Sequence, residues 1–257
     1  MACQSGGVEP VDADTPDPLE RLELPLRLAT TLNQMEAGLI TAPEAEHLLR
    51  ADGRPHHVSD ETGLLKLDGD GAIGLRLVLA RVARLRGPWA LVVPAEGDLG
   101  GLRGPIGTNR RALEHGAIVV HHEGGIGWVC DEVGHGVQWT LLACERPLLP
   151  DDPGQATRAL AAAVAEATGA LAGATVAAQQ PRHSAPNLGR GYPPASQTLL
   201  ERAWLVARAS AAGLDASASA TMSHQVLTRE RVLRPLGRAA RRAISSAVSW
   251  PSRALVE

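Results

Sequence analysis

Apolar residues recur at helical spacing from Leu19 through Leu22, Leu26, Ala29 and Leu32. This predicts a helix capped by Asp17, started by Pro18 and kinked at Pro25. Thr41 followed by Glu44 forms a capping-box pattern and predicts a second helix from Pro43 to Arg50. Gly53–Thr62 reads as a loop, Leu64–Leu67 as a short strand, and Ala72–Arg86 as a helix with Leu75, Leu79, Val82 and Leu85 inward. Gly87-Pro88 stops that helix before a buried strand at Trp89–Val93. A glycine-rich loop, Gly97–Gly107, then leads to a short helix from Asn109 to His115 with Gly116 as its C-terminal cap.

Alternation becomes clearest in the next stretch. Ala117–His122 and Ile126–Asp131, joined by Glu123-Gly124-Gly125, read as a hairpin, and Gly134 with Gly136 turns the chain into Val137–Cys144. The pattern is a three-strand antiparallel meander. Beyond Pro147, Pro150 and Pro153 the period lengthens again, predicting helices over Gly154–Leu171, Ser196–Ala212 and His224–Ser249, with Gln180–Pro194 as a hinge or loop. The expected class is α+β: a small mixed or antiparallel sheet covered by N-terminal and C-terminal helices. The expected organisation is a disordered leader over residues 1–16, an α/β domain over 17–150, and a helical region over 151–257, separate or continuous with the sheet domain.

Composition alters this picture in three ways. The 257 residues are 44% hydrophobic, yet include no Phe, one Tyr and five Trp. Leu, Val, Ile and Ala are therefore expected to build a thin core from many small contacts. Arginine supplies nearly all the positive charge, Lys66 being the single lysine, and the net charge of −3 offers no overall attraction to a polyanion. The charge is unevenly placed: residues 1–61 hold twelve acids against four arginines, and residues 151–257 hold seven acids against twelve arginines. Cys3, Cys130 and Cys144 form no paired spacing, and the N-terminus has no apolar signal core, so the cytoplasm is the expected location. No transmembrane segment is expected.

The first candidate site is the run from Gly97 to Thr108. Placed between a strand and a helix, it would hold an anion through Arg103, Gly104, Gly107, Thr108 and Arg110. It lacks the lysine of a P-loop and the spacing of a dinucleotide fingerprint, so a turn-rich connection is the simpler reading. Glu114, His115, His121, His122, Glu123, Cys130, Asp131, Glu132 and His135 crowd the meander, but adjacent strand residues point to opposite faces, and no metal site is expected. His56, His57, Asp60 and Glu61 read as a solvated loop, and Ser217, Ser219 and Ser223 as helix caps.

The last helix carries the strongest pattern. Leu233, Leu236, Ala240, Ala243, Ile244 and Ala247 fall on one face, with Arg231, Arg234, Arg238, Arg241 and Arg242 opposite and no acid among them. The simpler reading is a helix docked on its own domain with solvated arginines. The functional reading is contact with an acidic protein partner, with nucleic acid or an anionic membrane less favoured. Trp250 would suit such an interface.

An apolar strand followed by Gly97-Asp98, Gly101-Leu102, Gly104-Pro105, Ala112-Leu113 and Gly116 before Val119-Val120 resembles a segment of an uncharacterised protein family of high-GC bacteria. The resemblance covers Val92–Val120, implies relatedness, and transfers no activity, cofactor or site residue. The residues themselves favour a non-enzymatic interaction, scaffold or regulatory protein without cofactor, acting through a protein partner or self-association. The alternatives are an anion- or phosphate-binding domain, enzymatic or not, and association with nucleic acid or a membrane surface through the arginine helix.

Overall fold

A computed structural model describes residues 19–63, 65, 73–171, 184–218 and 223–249. The expected leader over 1–16, the Asp17-Pro18 helix start, most of the strand at Leu64–Leu67, the first part of the 180–194 loop, Ser219 and Trp250 lie outside the described residues, as do the side chains of Ser217 and Ser223.

The first helix, α1 (Glu20–Glu36), buries Leu22, Leu26, Ala29 and Leu32 as their spacing predicts, and it continues through Pro25. Helix α2 (Ala42–Leu49) starts at the Thr41–Glu44 capping box, where the Thr41 N–H donates to Glu44 Oε2 at 2.7 Å. That bond and a second from the Thr41 hydroxyl to the same oxygen at 2.8 Å hold the Glu44 carboxyl below its usual pKa.

The stretch read as a loop between Gly53 and Thr62 instead contains a strand, β1 (His56–Asp60). Apart from Val58, its residues are polar and carry no strand pattern of their own. A neighbouring strand supplies the hydrogen bonds that local sequence does not. The helix expected over 72–86 is shorter, because Ile73 and Gly74 form β2 (Ile73–Gly74) against β1, leaving α3 (Leu75–Val82). Strand β3 (Trp89–Val92) is buried throughout. Helix α4 (Ile106–His115) begins three residues before the expected Asn109 and ends at Gly116, whose φ of +76° is the left-handed conformation of a helix C-cap.

The meander forms as predicted from β4 (Ile118–His121), β5 (Gly127–Val133) and β6 (Gly136–Leu142). It is the middle of a larger sheet ordered β2-β1-β6-β5-β4-β3, in which β3 runs antiparallel to β4 and β1 runs parallel to β6. Three helices follow: α5 (Pro153–Ala170), α6 (Pro194–Ala218) and α7 (Ser223–Ser249). The result is an α+β fold with a mixed six-stranded sheet and helices from both ends of the chain.

Alternation along the strands gives the sheet two covered faces. Trp89, Leu91, Val119, Trp128, Trp139 and Leu141 join the larger core with α1, α6 and α7. Val92, Ile118, Val120, Val129 and Leu142 join a smaller core with Leu102 and Ala112. Leu, Val, Ile and Ala supply most of the core, as expected, and Trp89, Trp128 and Trp139 are fully buried within it. Trp128 and Trp139 meet edge to face, with ring centroids 6.3 Å apart, an arrangement that their quadrupoles favour.

Helix α7 is fixed to the sheet by polar contacts as well as by its apolar face. The Leu91 N–H donates to Ser249 Oγ at 3.0 Å, and Asn33 on α1 donates to the Val248 carbonyl at 3.3 Å and the Trp89 carbonyl at 3.1 Å. These bonds set where the arginines of α7 fall. No helix among the described residues is long and apolar enough to cross a membrane.

Candidate functional site

The glycine loop leaves β3 through a tight turn in which Ala95 and Asp98 exchange backbone hydrogen bonds of 2.8 and 2.9 Å. Asp98 Oδ1 then accepts from the Gly100 N–H at 3.0 Å, closing an Asx turn. Gly101 follows with φ +97°, and a Cβ there would lie 2.9 Å from the Leu148 carbonyl oxygen. Only glycine lets the loop press this close to the Pro147–Pro150 segment, where the Leu148 N–H donates to the Gly101 carbonyl at 2.9 Å.

Helix α7 passes over the same place. Ser246 Oγ donates to the Asp151 carbonyl at 2.7 Å, and Arg242 Nη2 reaches Asp98 Oδ2 at 3.1 Å. Loop, segment and helix thereby enclose a cleft of about 220 Å³, with Val93, Gly100, Gly101, Leu148, Leu149 and Pro150 on one side. Arg238, Arg241, Arg242 and Ser245 line the other, with Asp98 and Asp151 between.

The electrostatics of the cleft are unbalanced. Three guanidinium groups face two carboxylates, and Asp98 is already committed to Arg242 and to the Gly100 amide. Among the described residues, no carboxylate oxygen stands within 4.0 Å of Arg238 or Arg241. Arg241 is half-buried, and burial pushes its pKa down; Asp98 opposes that shift and Arg238 adds to it. A guanidinium remains charged under such a shift, so the cleft holds an under-neutralised positive charge.

This site joins two features that read separately in the sequence. The residues expected to bind an anion in the loop are placed elsewhere: the Thr108 hydroxyl donates to the Ala143 carbonyl at 2.8 Å, and Arg110 lies 4.0 Å from Glu114 on the same helix. Arg103 is exposed, Gly104 faces the Glu145 carboxyl, and Gly107 sits in the first turn of α4 beside open space. The cleft uses the opposite end of the loop, Asp98 to Gly101. Of the arginine stripe, Arg238, Arg241 and Arg242 line it, while Arg231 and Arg234 are exposed. The stripe is less purely basic than the helical pattern suggests, because Glu230 Oε2 lies 3.7 Å from Arg234 and Asp98 meets Arg242. Ser245, Leu148, Leu149 and Asp151 were not legible as site residues; the flanking prolines at 147 and 150 were the available signal.

Two family models match the chain: that of the Rv1486c-like protein, N-terminal domain, over residues 26–153, and that of its C-terminal domain over residues 154–245. The chain belongs to the Rv1486c-like family. The segment resembling high-GC bacterial proteins, Val92–Val120, lies inside the first match, and the cleft of this Rv1486c-like protein takes residues from both matched regions. No curated protein and no solved structure matches the chain.

The other clusters resolve into structural contacts. Among the described residues, no three His, Cys, Asp or Glu side chains are grouped to hold a metal. His121 is buried, with Nε2 3.0 Å from the Arg86 carbonyl and its ring edge-on to Trp89, while His122 lies near Glu123 and Arg146. His115 Nδ1 meets Asp131 at 3.1 Å. His56, expected in a solvated loop, is buried on β1: its Nδ1 accepts from Trp139 Nε1–H at 3.2 Å, and Nε2 lies 3.9 Å from Asp52. Burial pushes its pKa down to about 4, so the ring is neutral at pH 7 with its proton on Nε2. The Cys130 and Cys144 thiols are pushed up to about 12 by burial and are unreactive as thiolates.

Proposed function

We propose that this protein is a ligand-binding regulatory protein that takes a small oxyanion, phosphate or carboxylate, into the cleft between the glycine loop and α7. The observation that carries the reading is Arg241: a half-buried guanidinium, beside Arg238, with no carboxylate in ion-pair range among the described residues. Holding two like charges together in a concave, partly dry place is unfavourable, and an anion between them relieves both repulsion and desolvation. Guanidinium groups present paired N–H donors that match the geometry of carboxylate and phosphate oxygens. Ser245 adds a hydroxyl to the same wall.

The chemistry agrees with the broader expectation of a regulatory or interaction protein. A ligand held by Arg238 and Arg241 bridges α7 to the loop at Gly100–Gly101, and thereby couples the sheet to the C-terminal helices. A protein partner reading the exposed Arg231 and Arg234 would sense that coupling from the outer turn of the same helix.

Thermal unfolding with inorganic phosphate, sulfate and citrate tests this reading. An anion at a hundred times its Kd adds about 2.7 kcal/mol of apparent stability. The expected result is a rise in Tm for the wild type that Arg241→Gln and Arg238→Gln remove and Arg231→Gln leaves intact. Equal shifts in all four proteins, or none, would count against it.

A further inference from the structure

The two walls of the cleft differ in chemistry, and the difference names a ligand class. One wall is cationic, from Arg238 and Arg241. The other is apolar and ends in Leu148 and Leu149, which are 54% and 43% exposed. Single exposed leucines are ordinary on a protein surface. These two are consecutive, both line one concavity, and are held outward by their setting. Pro147 is buried on one side, Pro150 restricts the backbone of Leu149 on the other, and the Leu148 N–H is tied to Gly101 at 2.9 Å.

We infer that the cleft binds a small amphiphilic anion, its oxyanion head on Arg238 and Arg241 and its apolar arm along Leu148 and Leu149. The inference rests on the anion-binding reading and adds the arm to it. Ligand clefts that combine a mostly apolar lining with a few convergent polar groups orient their ligand in this way. The volume of about 220 Å³ suits a short single arm; it is below the range of roughly 300–1,000 Å³ usual for drug-sized ligands. A free small molecule suits the site better than a bilayer, because Arg241 is recessed while the outermost guanidinium, Arg242, is occupied by Asp98.

Calorimetric titration of the full chain with inorganic phosphate, then with butyl and hexyl phosphate, separates the two layers of the argument. Each added methylene is expected to tighten binding roughly fourfold until the arm passes Leu149. Leu148→Ser/Leu149→Ser changes only exposed side chains. It is expected to abolish that gain, so that the variant binds hexyl phosphate no more tightly than inorganic phosphate, with circular dichroism confirming the fold. Equal affinity for phosphate and its alkyl esters overturns the amphiphile and leaves the anion site standing. Binding to phosphatidylglycerol vesicles without binding to hexyl phosphate also overturns it, and no binding of any phosphate removes both readings.

Discussion

Arg242 on α7 and Asp98 in the glycine loop meet at 3.1 Å across 144 residues of chain. The pair joins two of the cleft's walls, and the Asp98 charge also acts on Arg241. Asp98→Asn keeps a side-chain oxygen for the Gly100 amide while removing the negative charge. Phosphate affinity, measured by calorimetry, is expected to rise about fivefold to tenfold, because Arg241 and Arg242 both become available to the ligand. Stability is expected to fall by less than about 1 kcal/mol, since Arg242 is exposed and such pairs contribute little.

The loop geometry gives a second expectation. At Gly101, alanine would place a Cβ 2.9 Å from the Leu148 carbonyl oxygen at φ +97°; at Gly97, with φ +75°, alanine would meet nothing within 4 Å. Gly101→Ala is therefore expected to cost roughly 2–3 kcal/mol and to weaken phosphate binding by displacing the Leu148 wall. Gly97→Ala carries only the backbone strain, about 1 kcal/mol, and leaves binding intact. Urea unfolding and phosphate titration of the two variants side by side check both values.

Asn33 is the polar hub that seats α7. Its Oδ1 accepts from the Trp89 N–H at 2.7 Å, and its Nδ2 faces the Trp89 carbonyl, the Tyr192 hydroxyl at 2.9 Å and the Val248 carbonyl. Burial of these groups makes the loss of partners costly. Asn33→Ala is expected to lower stability by about 3 kcal/mol, and Tyr192→Phe, which removes one hydroxyl from the network, by about 1 kcal/mol. Equal small losses in chemical denaturation would contradict this ranking.

His56 fixes a pH dependence. Its pKa is about 4 in the fold against 6.5 for the free group. Above pH 6.5 the ring is neutral in both states. Between pH 6.5 and about 4 the unfolded chain binds the proton and the fold does not, so stability falls as pH falls through that window. The loss at its limit is on the order of 3 kcal/mol. His56→Gln retains an acceptor for Trp139 and removes the titration. In urea unfolding at about pH 7 and about pH 4.5, the wild type is expected to lose more stability than the variant. Identical losses would place the effect elsewhere.

What the sequence made legible was local. The Thr41–Glu44 box starts a helix because its hydrogen bonds span three residues, and the Gly124-Gly125 turn closes a hairpin for the same kind of reason. The inward stripe of α7 is legible because helical period alone decides which residues share a face. Strand β1 was not, since His56-His57-Val58-Ser59-Asp60 has no strand character until β6 offers a parallel partner. The burial of His56 follows from the Trp139 indole, 83 residues away.

The site divides in the same way. Glycines 97–107 and the arginines of α7 each stood out, one as a loop able to approach a ligand and the other as a charged stripe. Their meeting depends on Ser249, Val248 and Ser246 anchoring α7 against β3, Asn33 and Asp151. Nothing local encodes that placement. The loop's own cations, Arg103 and Arg110, drew attention by nearness in sequence, while Arg238 and Arg241 supply the charge by nearness in space.

The central claim is that Arg238 and Arg241 hold one anion together, and phosphate binding across a double-mutant cycle of these two residues addresses it most directly. Calorimetry on the wild type, Arg238→Gln, Arg241→Gln and the double variant is expected to show each single change weakening phosphate at least tenfold, with the double variant scarcely weaker than either single one. Independent, additive losses, or wild-type affinity in the double variant, would contradict a shared site.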